Sequence, residues 1–246
     1  MSEPIPYSHI QVAAGQDEFL RLAANRIIDA AREALGERGR ATIALSGGST
    51  PRPVYELLTQ PPYSRAMPWP HVRWFFGDER AVGPEHEHSN YRMAREALFA
   101  PARVPARNIH RIEGELGVVD ASANYSSLLS SFFPQGNIPV FDLILLGLGT
   151  DGHTASLFPG RNIDGGAVLA VPAPDMAPRV DRVSLSLPCI NAARRVLFLV
   201  QGSGKAELVA NILAGAPEAA RLPAAQVCPA GGAQWLLDAE AAAGLG

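Results

Sequence analysis

The sequence predicts one three-layer α/β domain over residues 1–246, with a mostly parallel central sheet and helices on both of its faces. Strand-length apolar runs alternate with amphipathic helical patterns, which is the order of elements in α/β folds. The strand runs lack the apolar–polar alternation of half-exposed strands, so both faces of the sheet are expected to be covered. We find no internal repeat and no linker rich enough to separate two domains.

The N-terminal half begins with apolar residues at helical spacing, such as Phe19 and Ile27, which predict a helix over 17–35. Pro51 is a favoured first helical residue and starts a second helix that continues through Leu58. Apolar runs bounded by Gly, Pro or polar residues predict the strands. In this half we expect strands over 41–46, 72–76 and 108–112, and further helices over 91–99 and 120–133.

The C-terminal half contains the most apolar strand run, over 141–148, followed by a glycine loop and a Gly/Pro-rich excursion to Pro178. The same criteria predict a helix over 204–214. Strands are expected over 183–187, 196–200 and 224–227, and a strand from Ala233 is expected to run into a helix ending at Ala243.

Composition excludes several classes of protein. The 21 Lys and Arg residues against 24 Asp and Glu leave no basic excess, so we expect no nucleic-acid partner. No basic segment followed by an apolar run occurs at the N-terminus, and no apolar run approaches the ~18 residues of a membrane span. Cys189 and Cys228 lie far apart without a CxxC pair, which predicts two reduced thiols in a cytoplasmic protein.

Ligands of open α/β sheets bind outside the carboxyl ends of the strands. That rule selects four segments, 46–50, 77–80, 147–153 and 202–205. In the first, Gly47 and Gly48 let a ligand approach the backbone, and Ser49 and Thr50 precede a helix N-terminus. The segment is therefore a candidate phosphate site, although a plain capping turn uses the same residue types.

Lys205 strengthens the phosphate interpretation. It is the only lysine in the chain and follows a buried strand directly, where an ammonium suits a tetrahedral phosphate. The alternative is one surface lysine of no special role. The segment is not a Walker A loop, because Ala206 stands where Ser or Thr would hold magnesium and Leu199 replaces the first glycine.

Residues 147–152 match G-x-G-x-x-G, but Pro159 leaves too little room for the crossover helix of a dinucleotide site. The same loop carries Asp151 and His153, which we interpret as an acid–base pair. A loop histidine that merely bonds a carbonyl is the alternative.

After the strand 72–76, Arg80 is a candidate for stabilising an oxyanion or a phosphate, and Asp78 for orienting it. An exposed charge cluster is the alternative. His86 and His88 have a spacing compatible with metal, but no further ligand cluster supports a metal site. Neither a G-x-S-x-G elbow nor a cysteine beside the glycine loop is present, so water activated by a base is favoured over covalent catalysis.

Six segments in the order of one known family carry a resemblance to it. They are residues 44–51 (ALSGGSTP), 74–80 (WFFGDER), 89–91 (SNY), 146–159 (LGLGTDGHTASLFP), 182–185 (RVSL) and 204–206 (GKA). Together they resemble the 6-phosphogluconolactonases, within the wider group that includes glucosamine-6-phosphate deaminase.

The resemblance implies hydrolysis of 6-phospho-D-glucono-1,5-lactone in the pentose phosphate pathway, with neither metal nor organic cofactor. Apart from the resemblance, we expect a monomer or a weak homo-oligomer. The resemblance also implies His153 as the general base, Asp151 as its partner and Arg80 as an electrostatic stabiliser. Residues implied to hold phosphate or sugar hydroxyls are Gly47, Gly48, Ser49, Thr50, Asn90, Gly149, Arg182 and Lys205. Arg179 remains an alternative to Arg182.

Two rival functions are weighed against the lactonase. The deaminase pattern GHIAFNEP places a glutamate for ring opening where this chain has Phe158, which cannot carry a proton. A sugar-phosphate sensor is expected to carry a helix-turn-helix segment, for which the ~16 residues before the first predicted helix are too few. His153 also favours chemistry over sensing.

Overall fold

The structure is a computed structural model that describes residues 9–134, 136 and 138–245. Among these residues, nine strands form a six-stranded sheet of order β1-β9-β8-β5-β2-β3 and a three-stranded sheet of order β4-β7-β6. The strands are β1 (Ile10–Ala13), β2 (Ala41–Leu45), β3 (Val72–Phe76), β4 (Asp78–Arg80), β5 (Leu143–Leu146), β6 (Val168–Val171), β7 (Arg182–Leu185), β8 (Val196–Val200) and β9 (Ala233–Asp238).

The predicted fold class is confirmed. All neighbouring strands of the large sheet are parallel. Every residue of β2, β5 and β8 is buried, and since successive side chains alternate between faces, both faces of the sheet are covered. The helices are α1 (Gln16–Arg38), α2 (Pro51–Leu58), α3 (Tyr63–Ala66), α4 (Asn90–Ala94), α5 (Val118–Phe132), α6 (Leu187–Asn191) and α7 (Ala206–Leu213).

The small antiparallel sheet was not expected. Its strand β6 lies inside the segment predicted as a Gly/Pro-rich excursion, and β4 coincides with the charged turn after β3. The predicted strand 183–187 belongs to this sheet as β7, paired with β4 on one side and β6 on the other. The small sheet matters because it makes Arg80 of β4 and Arg182 of β7 cross-strand neighbours.

Three predicted elements are wrong. Residues 108–112 make only a single bridge, Ile109 to Trp74, after the 3₁₀ turn Ala106–Asn108. Residues 224–226 fall in the 3₁₀ turn Pro223–Gln226, where proline supplies the first helical φ, and Val227 follows it outside any strand. The chain after β9 forms turns and not a helix.

The helix boundaries follow local signals. α1 ends at Gly39, which adopts φ 73° and donates its N–H to the carbonyl of Leu35, as left-handed caps do. The predicted helix 91–99 is α4 followed by one π-helical turn, Arg95–Phe99. Within the described residues, no helix is long and apolar enough to cross a bilayer.

Two buried tyrosines hold the backbone where β2 and β3 end. The Tyr55 hydroxyl accepts from the N–H of Ser46 and donates to its carbonyl, at 3.2 and 2.9 Å. Tyr125 does the same for Phe76, at 3.0 Å in each direction. The backbone groups at the ends of both strands are therefore paired where the following loops leave the sheet.

We expect Tyr55→Phe to lower the free energy of unfolding by about 1–3 kcal/mol, because it leaves both backbone groups of Ser46 buried and unpaired. Urea unfolding at neutral pH measures the change. Tyr63→Phe, at a partly exposed position in α3, is the matched control and is expected to change stability by less than about 0.5 kcal/mol. Equal effects of the two variants would show that the hydroxyl bonds of Tyr55 contribute nothing.

Candidate active site

A cleft of about 390 Å³ lies at the carboxyl ends of β2, β5 and β8. It collects the candidate residues from all four strand-end segments, together with Asn90 and Arg182. The predicted residues that line it are Gly47, Gly48, Ser49, Thr50, Asp78, Arg80, Asn90, Gly149, His153, Arg182 and Lys205. Asp151 stands directly behind His153.

A second cleft of about 410 Å³ lies at the opposite, amino-terminal ends of the strands. It is lined by Arg26, Asp29, Arg195, His9 and Gln234, among others. No hydrogen bond joins His9 to Asp29 among the described residues, and none of the predicted site residues lines this cleft, so the first cleft is the candidate site.

His153 and Asp151 form a tight pair. The His153 Nδ1 lies 2.5 Å from Asp151 Oδ1, and the His153 backbone N–H donates to the same oxygen at 3.1 Å. The ring of Phe158 packs against the imidazole, with centroids 4.8 Å apart. An imidazole that donates from Nδ1 to a carboxylate keeps the lone pair on Nε2, which is the state a general base needs.

Gly149 is required by this pair. A Cβ at this position would stand 2.0 Å from His153 Nδ1 and 2.6 Å from Asp151 Oδ1. Any larger residue would therefore displace the imidazole or the carboxylate. This close approach accounts for a glycine in the G-x-G-x-x-G pattern without any dinucleotide.

Arg80 and Arg182 are cross-strand neighbours on β4 and β7. The Nε of each guanidinium is buried and has no hydrogen-bond partner among the described residues. Burial lowers the pKa of Arg182, and the adjacent Arg80 lowers it further. Two adjacent cations that line the cleft favour an anionic ligand or a developing oxyanion there.

Arg182, not Arg179, reaches the cleft. Arg182 is 5% exposed and its guanidinium lies 5.8 Å from the Phe158 ring centroid. Arg179 is exposed and donates its Nε–H to the Asp175 carbonyl. Of the two alternatives, the geometry therefore favours Arg182 as a ligand-binding residue.

Asp78 forms no direct hydrogen bond or ion pair with Arg80 among the described residues, so the orienting role predicted for it would act through an intermediate group. Its Oδ2 accepts from Ser156 Oγ at 2.6 Å, and its Oδ1 accepts from Asn90 Nδ2 at 3.3 Å. Asn90 Oδ1 in turn accepts from Arg80 Nη1. The link from Asp78 to Arg80 therefore runs through Asn90.

The loop between β2 and α2 keeps its donors available. Thr50 precedes α2 without a side-chain cap, and Gly48 adopts φ 100°, a left-handed conformation. A Cβ on Gly47 would stand 1.8 Å from Asn90 Oδ1, so only glycine fits beside Asn90. Small residues thus bring backbone N–H groups to the cleft wall.

Lys205 lines the same cleft as residues 47–50, after β8 and not after β2, and its ammonium donates to the carbonyl of Leu148. Burial lowers the pKa of Lys205, and the nearby Asp151 carboxylate offsets only part of that decrease. No carboxylate forms an ion pair with Lys205 among the described residues. Its remaining donors are available to an anionic ligand.

The sequence analysis did not single out three residues at this site. Ser156 bonds Asp78, Ser46 places a buried hydroxyl in the cleft wall without a partner, and Glu79 supports Asn90 from below. All three fall within the quoted segments 44–51, 74–80 and 146–159, where they carried no separate signal. No group of three or more potential metal ligands occurs among the described residues.

Comparison with known proteins places this site in a family. The sequence pattern of the family described as Glucosamine-6-phosphate isomerases/6-phosphogluconolactonase matches residues 14–236. A protein of Synechocystis sp. named 6-phosphogluconolactonase is 42% identical over 218 residues, covering 87% of this chain and 88% of that protein. Another of that name, from Nostoc sp., is 36% identical and covers 96% and 98% of the two chains.

A solved structure of a protein with the same name is also similar to this chain. The 6-phosphogluconolactonase from Trypanosoma cruzi superposes with a TM-score of 0.87 at 30% identity, over 99% of each chain. These matches span the cleft and all four strand-end segments. The chain therefore belongs to the glucosamine-6-phosphate isomerase/6-phosphogluconolactonase family.

Proposed function

We propose that this protein is a 6-phosphogluconolactonase, which hydrolyses 6-phospho-D-glucono-1,5-lactone to 6-phospho-D-gluconate in the oxidative pentose phosphate pathway. The observation that carries the proposal is the His153–Asp151 pair, which faces a cleft lined by three cationic side chains. The names of relatives at 36–42% identity over most of the chain support the same substrate.

In the proposed mechanism, His153 Nε2 removes a proton from a water molecule as the water attacks the lactone carbonyl carbon. The carbonyl oxygen becomes an oxyanion, which Arg80 stabilises. The intermediate collapses by breaking the bond to the ring oxygen, and the imidazolium returns its proton to that oxygen. Asp151 stabilises the imidazolium in between. No covalent bond between enzyme and substrate forms, and the step requires no metal or organic cofactor.

The phosphate of the substrate is assigned to Lys205 and the loop of residues 47–50. Both present donors to the cleft from opposite sides, and the loop precedes the N-terminus of α2. Arg182 and Asn90 are assigned to phosphate or sugar hydroxyls. Binding the phosphate away from the ester holds the carbonyl near His153 and Arg80.

The deaminase alternative is weaker at one position. Phe158 packs on His153 and is 5% exposed, so the place where the deaminase pattern has a glutamate holds an apolar ring. That ring cannot shuttle protons to open a sugar. Phe158 therefore favours the lactonase over the deaminase.

A lactonase assay on freshly generated 6-phosphogluconolactone, corrected for spontaneous hydrolysis, tests the proposal. Calorimetry with 6-phosphogluconate is run beside it. A lactonase binds the product and turns over the lactone, whereas a sugar-phosphate sensor binds and does not turn over. Binding without turnover would refute the proposed activity.

We expect Lys205→Ala to weaken binding of the phosphorylated lactone by about 10- to 150-fold, since a charge-assisted contact contributes roughly 1.5–3 kcal/mol. Glucono-1,5-lactone has no phosphate and is expected to lose little. Steady-state kinetics on the two lactones side by side gives the comparison.

Lys205→Arg serves as the conservative variant and is expected to restore part of the affinity, because a planar guanidinium approaches phosphate differently. Part of the loss is expected in kcat, since phosphate binding also positions the ester. An equal loss on both lactones would assign Lys205 to the reacting centre or to the Leu148 loop instead.

The same proposal includes the organisation of the chain. A single cluster of buried apolar residues extends from Ala13 to Ala241, which supports one domain. Cys189 and Cys228 are unpaired, which favours a reducing compartment such as the cytoplasm. We expect a monomer or a weak homo-oligomer, which sedimentation at two protein concentrations would measure.

A further inference from the structure

Glu79 is a buried carboxylate that the proposed mechanism does not use. It lies on β4 between Asp78 and Arg80 and is 2% exposed. Because side chains alternate along a strand, it points away from the cleft while its two neighbours line it. A charge at such a position requires compensation by its surroundings.

Four hydrogen-bond donors converge on the Glu79 carboxylate. Its Oε1 accepts from the backbone N–H groups of Arg80 and Asn90, at 2.8 and 2.7 Å. Its Oε2 accepts from the Tyr91 N–H at 2.7 Å and from Ser89 Oγ at 3.1 Å. No arginine or lysine forms an ion pair with it among the described residues.

This set of partners demands two accepting oxygens. Burial raises the pKa of Glu79 to about 7, and the three backbone N–H groups oppose that rise. An ionised carboxylate accepts all four bonds, whereas a carboxamide of the same shape turns one acceptor into a donor. In one orientation the amide NH₂ would face the N–H groups of Arg80 and Asn90. In the other orientation it would face the Tyr91 N–H and the Ser89 hydroxyl.

The bonds of Glu79 fix the backbone of Asn90, and the Asn90 side chain continues the connection. Its Nδ2 donates to the Asp78 carbonyl at 2.9 Å, and its Oδ1 accepts from Arg80 Nη1. Gly47 packs directly against the same amide. One buried carboxylate is therefore connected, through a single amide, to a guanidinium that lines the cleft and whose Nη1 also donates to the His88 carbonyl at 3.0 Å.

A simple helix cap is the competing explanation. Two of the four bonds do satisfy N–H groups at the start of α4, those of Asn90 and Tyr91. However, Ser89 already caps α4 by accepting from the Arg92 N–H at 3.1 Å. A role limited to capping also predicts no energetic coupling to Arg80, which makes the two explanations separable.

The geometry points to Glu79 as a positioning residue, whose carboxylate holds Asn90 in place and through Asn90 aims Arg80 into the cleft. This inference rests on the proposed lactonase function for its kinetic test. It assigns to Glu79 no contact with substrate.

A double-mutant cycle in kcat provides that test. Glu79→Gln is expected to lower kcat about 10-fold in the wild-type background and less than about 2-fold in an Arg80→Ala background, because its effect passes through Arg80. KM for the phosphorylated lactone is expected to change less than kcat. Glu87→Gln, at an exposed position of the neighbouring loop, is the matched control and is expected to retain full activity.

Equal losses in the two backgrounds would overturn the inference and leave Glu79 a structural cap, as would full activity of Glu79→Gln. If Glu79→Gln fails to fold, Asn90→Ala cuts the same connection and is expected to show the same coupling to Arg80. A wild-type protein without turnover would refute the proposed function by itself.

A crystal structure of Glu79→Gln tests the inference without activity. The contact between Arg80 Nη1 and Asn90 Oδ1 is expected to be lost, with the guanidinium displaced from the cleft wall. An unchanged Arg80 would overturn the inference whatever the kinetics show. Asn90→Ala is the second variant for this measurement, with the displacement of Arg80 as the readout.

Discussion

His153→Ala is expected to fold normally and to lose lactonase activity by about 10²–10⁴-fold in kcat, because the hydrolytic water loses its base. The alanine removes the only imidazole that lines the cleft among the described residues. The binding groups on the cleft walls remain, so KM is expected to change little. Initial rates on fresh lactone, with spontaneous hydrolysis subtracted, measure the effect.

His71→Ala is the matched control. This histidine is exposed before β3, at the end of the sheet opposite the cleft, and its loss is expected to leave kcat unchanged. Circular dichroism and urea unfolding check that both variants are folded. Near wild-type kcat in a folded His153→Ala would refute base catalysis by this residue.

The fold was predictable where the strands are long and wholly apolar. The strand predicted at Val196–Val200 is confirmed residue for residue. A parallel strand buried on both faces is apolar at every position, so the polar residues that flank the run mark its two ends. β4 escaped prediction because it consists of three charged or polar residues. It pairs with β7, in which Arg182 lies opposite Arg80 although the two are more than a hundred residues apart in the chain. No local pattern reports such a contact.

The candidate site followed from the strand-end rule. That rule selected Lys205 and His153 from distant parts of the chain, and the structure places both in one cleft. The rule does not identify residues that lie outside the cleft lining and contact the residues that form it. Glu79 reads as one member of a charged turn, and only the folded chain shows four donors around it. Ser156 is similar, because its partner Asp78 lies 78 positions away.

Arg80→Ala is expected to lower kcat by about 10²–10³-fold, as the loss of one oxyanion donor does in other hydrolases. Arg80 and His153 line the same cleft, so we expect the guanidinium to meet the charge that appears during the reaction. The effect is expected mainly in kcat, because the lactone carbonyl in the ground state carries much less charge than the oxyanion.

Two comparisons make this result specific. Arg179→Ala removes a nearby exposed arginine and is expected to leave kcat and KM unchanged. Arg80→Lys keeps the charge but cannot bond Asn90 and the oxyanion with the same planar group, so it is expected to recover only part of the rate. Arg182 remains beside the vacated position, and the loss of its cationic neighbour raises its pKa and removes a repulsion. Stability is therefore expected to fall little, and a variant impaired only in KM would reassign Arg80 to substrate binding.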